Sequence, residues 1–97
     1  MDTGTETVYT IAVVITKRRF IGRIGAYKQF IHVVKEFEGL AGITPLGLNH
    51  ALLHMLTHND AIIARNRLTF LGYAVSDNIE KVEVDRKYVK KENGDHA

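Results

Sequence analysis

The most strand-like segment of the chain reads Thr7-Val8-Tyr9-Thr10-Ile11-Ala12-Val13-Val14-Ile15-Thr16. Apolar and mostly β-branched side chains occupy both sets of alternating positions, a pattern typical of a strand that is covered on both faces. We therefore predict a central strand of a sheet over residues 7–16. Residues 1–6, which precede it, are polar and are expected to be disordered.

Two helices are predicted after this strand. Between residues 26 and 39, apolar side chains fall on one side of a helical projection and polar side chains on the other, which predicts an amphipathic helix. Thr44 followed by Pro45 is a typical helix start, because proline is tolerated at the first helical position. A second helix is therefore expected from about Pro45 to Thr57.

The last third of the chain predicts a further helix and a β-hairpin. Asn59-Asp60 is an N-cap signal and Gly72 a C-terminal signal, so a third helix is predicted over 61–71. Part of this segment also alternates as a strand does, which leaves a strand as the alternative. Residues 73–84 predict a C-terminal β-hairpin around the polar turn Ser76-Asp77-Asn78.

These elements together predict one α+β domain over residues 7–89, followed by a flexible charged tail over 90–97. The domain would contain an N-terminal strand, which residues 20–24 could extend into a hairpin, two to three helices and the C-terminal β-hairpin. A chain of 97 residues has the size of one core. Its 45% hydrophobic and 25% charged residues are an ordinary globular composition.

The composition and motifs exclude several classes of protein. The sequence has no cysteine, so neither disulfides nor thiolate metal sites are expected. The longest fully apolar run, Ile11–Ile15, is too short to span a bilayer and no secretory leader pattern is recognisable, so we expect a cytoplasmic location without membrane contact. We find no nucleophile elbow, P-loop or carboxylate pair, and therefore predict neither an enzyme nor a cofactor.

Three of the five histidines follow one another at four-residue steps, at His50, His54 and His58. On the predicted second helix they would line one face, opposite the leucines. Two such imidazoles can bind an ion such as Zn²⁺, but this set lacks a third ligand, so no metal site is predicted. The same face could instead dock a partner in a pH-sensitive way, because histidine gains charge near neutral pH.

The segment Arg65-Asn66-Arg67-Leu68-Thr69-Phe70-Leu71-Gly72-Tyr73 resembles the helix end and glycine that precede the wing of winged-helix DNA-binding domains. The resemblance implies a helix in the major groove and a hairpin against the DNA backbone. Arg65, Asn66 and Arg67 would contact base edges or phosphates. The hairpin or the residues beyond it would contribute Lys81, Arg86 and Lys87.

The densest basic cluster comprises Lys17, Arg18, Arg19 and Arg23. Such a cluster can bind phosphates or an acidic partner. Part of it belongs to Ile21-Gly22-Arg23-Ile24-Gly25, which is similar to the loop with which KH domains clamp single-stranded nucleic acid.

These features predict a small nucleic-acid-binding regulator of transcription, with DNA favoured over RNA and a homodimer as a possible assembly. The formal charge of +2 and the pI of about 9.0 agree with a mildly basic protein. The alternative is a protein-interaction module, accessory or inhibitory, that docks through the histidine face or through residues 17–23.

Overall fold

The structure is a computed structural model that describes residues 4–15, 22–47 and 49–85. The predicted contact residues Lys17, Arg18, Arg19, Arg86 and Lys87 lie outside these ranges, as does the predicted tail. The elements in chain order are β1 (Thr5–Val14), α1 (Arg23–Val34), β2 (Leu40–Pro45), β3 (His50–Met55), α2 (His58–Phe70), β4 (Ala74–Val75) and β5 (Glu80–Asp85).

All five strands form one antiparallel sheet, which confirms the α+β class. The strand order is β2-β3-β1-β4, and β5 also pairs with β1. β1 is the central strand, as predicted, and it begins at Thr5, two residues before the predicted start. From β1 to β4 the chain connects the elements as β-α-β-β-α-β, with β3 between β1 and β2, which is the connectivity of ferredoxin-like domains, and β5 follows as an additional strand.

Both helices pack on one face of the sheet and close a single core. Alternate residues of β1 and β3, such as Ile11 and Leu53, are fully buried with Phe30 of α1 and Leu68 of α2. The Phe30 ring also meets the ring of Tyr73 edge to face, with 5.5 Å between centroids. The core therefore has two layers, helices on sheet.

The predicted helices over 26–39 and 61–71 are present as α1 and α2, and their ends are shifted. α1 begins at Arg23, next to its N-cap Gly22. Gly25 consequently lies inside the first turns of α1, so the Gly-x-x-Gly segment is not the loop that its similarity to KH domains implied. α2 begins after Thr57, whose hydroxyl accepts a hydrogen bond from the backbone N–H of Asp60. Neither helix in the described part of the chain is long and apolar enough to cross a membrane.

The predicted second helix is wrong, because residues 50–55 form the strand β3. Ala51, Leu53 and Met55 alternate as fully buried residues, and β3 pairs on one edge with β1 and on the other with β2. Pairing on both edges satisfies the backbone of a segment whose leucines would also suit a helix. Pro45 ends the edge strand β2, where a missing N–H is tolerated.

The predicted C-terminal hairpin is also wrong in its pairing. β4 pairs with Val13 and Val14 and β5 pairs with residues 5–10, so both lie along the same edge of β1. Ser76 lies between β4 and β5 and bonds to β1. Its backbone N–H donates to the Ala12 carbonyl, and its hydroxyl accepts from the Ala12 N–H. With β3 in place of the predicted second helix, and with β4 and β5 paired to β1 rather than to each other, the described residues agree only roughly with the predicted winged-helix-like half.

Candidate functional site

Within the described ranges, one face of the sheet carries no helix. Because side chains alternate along a strand, the residues between the buried core positions of β1 and β3 point to this helix-free face. On β1 these are Val8 and Thr10, which are buried, and Ala12 and Val14, which are exposed. The face therefore has a closed half and an open half.

His54 lies at the centre of the helix-free face and bonds to threonines on both neighbouring strands. Its Nδ1 is 2.8 Å from Thr10 Oγ1 on β1, and its Nε2 is 2.8 Å from Thr44 Oγ1 on β2. A neutral imidazole has one N–H and one bare nitrogen, so one hydroxyl accepts a hydrogen bond and the other donates one. Burial lowers the pKa of His54 below its ordinary value, which favours this neutral form.

The three histidines of the predicted stripe do not share a face. His50 and His54 both lie on the helix-free face but four strand residues apart, about 13 Å. His58 begins α2, on the other side of the sheet, where its ring meets Tyr9 edge-on with 5.7 Å between centroids. Within the described ranges no three His, Asp or Glu side chains are placed to hold a metal ion.

A small cavity of about 170 Å³ adjoins His54 on the helix-free face. The residues that line it are Val8, Ala41, Gly42, Ile43, Thr44, His54 and Val84. Its polar groups, the imidazole and the Thr44 hydroxyl, are already bonded to each other. The cavity therefore offers apolar contact but few unsatisfied polar groups to orient a ligand.

The predicted contact residues on α2 have different surroundings. Arg65 donates from Nη1 to the Asp77 carbonyl at 2.7 Å, so it ties α2 to the loop between β4 and β5. Arg67 is exposed, and its guanidinium lies over the Phe37 ring at 5.5 Å from the centroid. Asn66 is exposed beside it. Asn66 and Arg67 are thus more exposed than Arg65, which is half-buried.

A shallow depression brings Asn66 and Arg67 together with Phe70 and Leu71. We call these four residues the α2 surface. Phe70 is 89% exposed, although it is one of the largest apolar side chains in the chain. Phe70 was not among the predicted contact residues, although its place one turn after Asn66 and Arg67 on the predicted helix was a usable signal.

The other predicted contact residues within the described ranges, Lys81 and Arg23, are not part of the α2 surface. Lys81 is exposed on β5 and pairs with Tyr9, near the start of α2 rather than its end. Arg23 is the first residue of α1. Thr10 and Thr44 were missed because their bonds to His54 depend on the pairing of β3 with its neighbours. The sequence predicted a helix where β3 lies, so this pairing was not expected.

Comparison of the chain with protein-family models, with curated proteins and with solved structures gives no match. The ferredoxin-like connectivity is a property of the fold and does not carry a function. The interpretation of the helix-free face and of the α2 surface therefore depends on their own residues.

Proposed function

We propose that this protein binds nucleic acid through the α2 surface and prefers single-stranded DNA. The observation that supports this most directly is Phe70, whose ring is 89% exposed at the end of α2. An exposed aromatic ring is a platform on which an unpaired base can stack, whatever its identity. Stacking on such a ring contributes about 1–3 kcal/mol per base.

Asn66 and Arg67 supply the polar contacts that a nucleotide needs beside a stacked base. They lie four and three residues before Phe70, so all three side chains share one side of the helix. The Phe37 ring under the Arg67 guanidinium restrains the position of that charge. Arg67 would contact a phosphate, and Asn66 a base edge or the sugar.

Acidic residues next to Arg67 determine the side from which the DNA backbone can approach. Glu36, Glu38 and Asp60 line a second depression that Arg67 shares. Their carboxylates repel phosphate, so the backbone has to approach Arg67 from the side of Phe70. This direction places a base on the exposed ring.

The distribution of basic residues adds support. Seven of the 13 lysines and arginines lie in two short sequence segments, 17–19 and 86–91, and neither segment contains an acid. These seven are Lys17, Arg18, Arg19, Arg86, Lys87, Lys90 and Lys91. Short segments with such an excess of positive charge strengthen phosphate binding without base specificity.

Fluorescence anisotropy with labelled single-stranded and duplex DNA tests the proposal. Binding should weaken steeply between about 50 mM and about 200 mM salt, because phosphate contacts release counterions. Phe70→Ala should weaken single-strand binding about 5- to 150-fold, because one stacked base is lost. Arg67→Ala should weaken binding to both forms and reduce the slope against salt by about one.

Ile24→Ala is the matched control, because Ile24 is another exposed apolar side chain, on α1. It should leave both affinities unchanged. Absence of binding at the lower salt concentration, or equal affinity of Phe70→Ala and the wild type, would reject the proposal.

A further inference from the structure

The cavity beside His54 is the space of an absent side chain. The register between β2 and β3 shifts between Leu40 and Gly42, so Ala41 is an extra residue in β2, a β-bulge. Gly42 follows the bulge, lies opposite His54 and adds no side chain to the helix-free face. A Cβ on Gly42 would come within 4 Å of one atom in another element of the described chain, His54 Cδ2 at 3.9 Å. The bulge and the glycine together therefore keep this space open.

The sheet curves around the cavity. β2 and β5 are separated by β3 and β1 in the strand order, which would place them about 14 Å apart in a flat sheet. Residues of β2 and Val84 of β5 nevertheless line the same cavity of about 170 Å³. Val8 of β1 also lines it and is only 1% exposed, although it points away from the helices. The cavity thus has walls as well as a floor, unlike the open half of the same face.

The hydrogen bonds of His54 leave one donor free at the cavity. Thr10 is buried, and within the described ranges its hydroxyl bonds to His54 Nδ1 and to no other group. A buried hydroxyl proton needs an acceptor, so Thr10 donates to Nδ1 and the neutral imidazole carries its proton on Nε2. Nε2–H then donates to Thr44 Oγ1. The hydroxyl proton of Thr44, which lines the cavity, is consequently available to a bound molecule.

The size and the lining of the cavity define the class of molecule that fits. An apolar cavity of about 150 Å³ can hold a ring the size of benzene. Apart from Thr44 and the imidazole, the residues that line this cavity are aliphatic or glycine. An ionised group would be buried here without a partner, and Glu6, which pairs with Val84, would repel an anion. A suitable ligand is therefore small, uncharged and largely apolar, with one hydrogen-bond acceptor.

We infer that this cavity binds a small uncharged carbonyl compound, whose oxygen accepts a hydrogen bond from the Thr44 hydroxyl and whose hydrocarbon part contacts Val8 and Val84. A ketone or ester oxygen is an acceptor without a proton of its own, so it matches a cavity whose free polar group is a donor. The cavity and the α2 surface are on opposite sides of the sheet. Binding at one can thus be tested without the other.

Titration of isotope-labelled protein with cyclopentanone, followed by two-dimensional NMR, tests the inference. The amide signals of Ala41, Gly42 and Val84 should shift with a Kd of about 1 mM, a realistic affinity for so small a ligand. Cyclopentane has the same ring without the carbonyl group and should bind about 2- to 12-fold more weakly, because it accepts no hydrogen bond. Cyclopentanecarboxylate, which is charged, should cause no saturable shift of these signals.

Gly42→Val tests the position of the ligand, because the added side chain occupies the cavity. Gly42 has no positive φ and valine suits a strand, so the variant should fold. It should weaken cyclopentanone binding by about ten-fold or more. Gly42→Ala should cause a smaller loss and replaces this variant if valine prevents folding. Ala12→Val is the matched control, because Ala12 is exposed on the same face outside the cavity, and it should leave the affinity unchanged.

Thr44→Val tests the hydrogen bond. It should weaken cyclopentanone binding about 2- to 12-fold and leave cyclopentane binding unchanged. NMR spectra that correlate the imidazole nitrogens of His54 with its ring protons should show the proton on Nε2. A proton on Nδ1, or equal affinities of the wild type for cyclopentanone and cyclopentane, would overturn the assignment of a carbonyl ligand.

The variants also distinguish this cavity from other places where a ketone could bind. Shifts that persist unchanged in Gly42→Val and disappear in Phe70→Ala would place the ketone on the α2 surface and overturn the inference. Absence of any saturable shift in the wild type would overturn it as well. Neither result affects the proposal for single-stranded DNA, which is tested by its own anisotropy measurements.

Discussion

Thr10 and Thr44 form hydrogen bonds of equal length to the two nitrogens of His54, but they differ in burial. Thr10 is buried, so its replacement by valine would leave one imidazole nitrogen without a partner. Thr44 is exposed, and water can replace its hydroxyl. We expect Thr10→Val to lower the free energy of unfolding by about 1–3 kcal/mol. Thr44→Val is the control and should cost about 0.5 kcal/mol; urea denaturation measures both, and equal costs would contradict the argument.

His54 should also make stability depend on pH. Burial lowers the pKa of His54 in the folded protein, so the unfolded chain binds this proton at higher pH than the folded chain does. The free energy of unfolding should therefore fall as the pH drops below the ordinary value of about 6.5 and into the range of the lowered pKa. His54→Gln should flatten this fall in thermal unfolding curves, whereas His50→Gln, an exposed residue of the same strand, should retain it. The same pH dependence in His54→Gln and the wild type would exclude His54 as the cause.

Gly39 and Gly47 lie in the connections before and after β2, and both have a positive φ. Their substitution tests how closely these connections pack against the neighbouring elements. The angles are +78° and +84°, so an alanine is strained by about 1–2 kcal/mol at either site. They differ in space: a Cβ on Gly39 would collide with the Asp60 carboxylate of α2, whereas a Cβ on Gly47 meets nothing within 4 Å. Gly39 therefore sets how closely the α1–β2 connection approaches α2.

We expect Gly47→Ala to lower stability by about 1 kcal/mol and Gly39→Ala to lower it by about 1–3 kcal/mol more, because only the second variant adds overpacking to backbone strain. Urea denaturation gives both values. A clash with the carboxylate should be relieved in the double variant Gly39→Ala/Asp60→Gly, which should recover part of the loss. Equal costs of the two glycine substitutions would show that the contact with Asp60 has no energetic effect.

The elements that the sequence predicts correctly are those with local signals. β1 has apolar residues at both alternating sets, α1 has an amphipathic pattern, and α2 has capping residues near its start. β3 has no such signal, because its adjacent Leu52 and Leu53 suit a helix as well as a strand. Its conformation is decided by pairing with β1 and β2. The partner residues on β1 are about 40 positions away in the sequence, so no local pattern shows this pairing.

The candidate sites also differ in whether local sequence signals or long-range strand pairing determine them. Asn66 and Arg67 follow from the sequence, because their side chains and their place on a predicted helix suffice. The His54 hydrogen bonds and the open half of the helix-free face do not follow, because they exist only once the strand order is known. The apolar second face of β1 was visible in its alternation, but the sequence could not show that both helices of the described ranges pack on the other face.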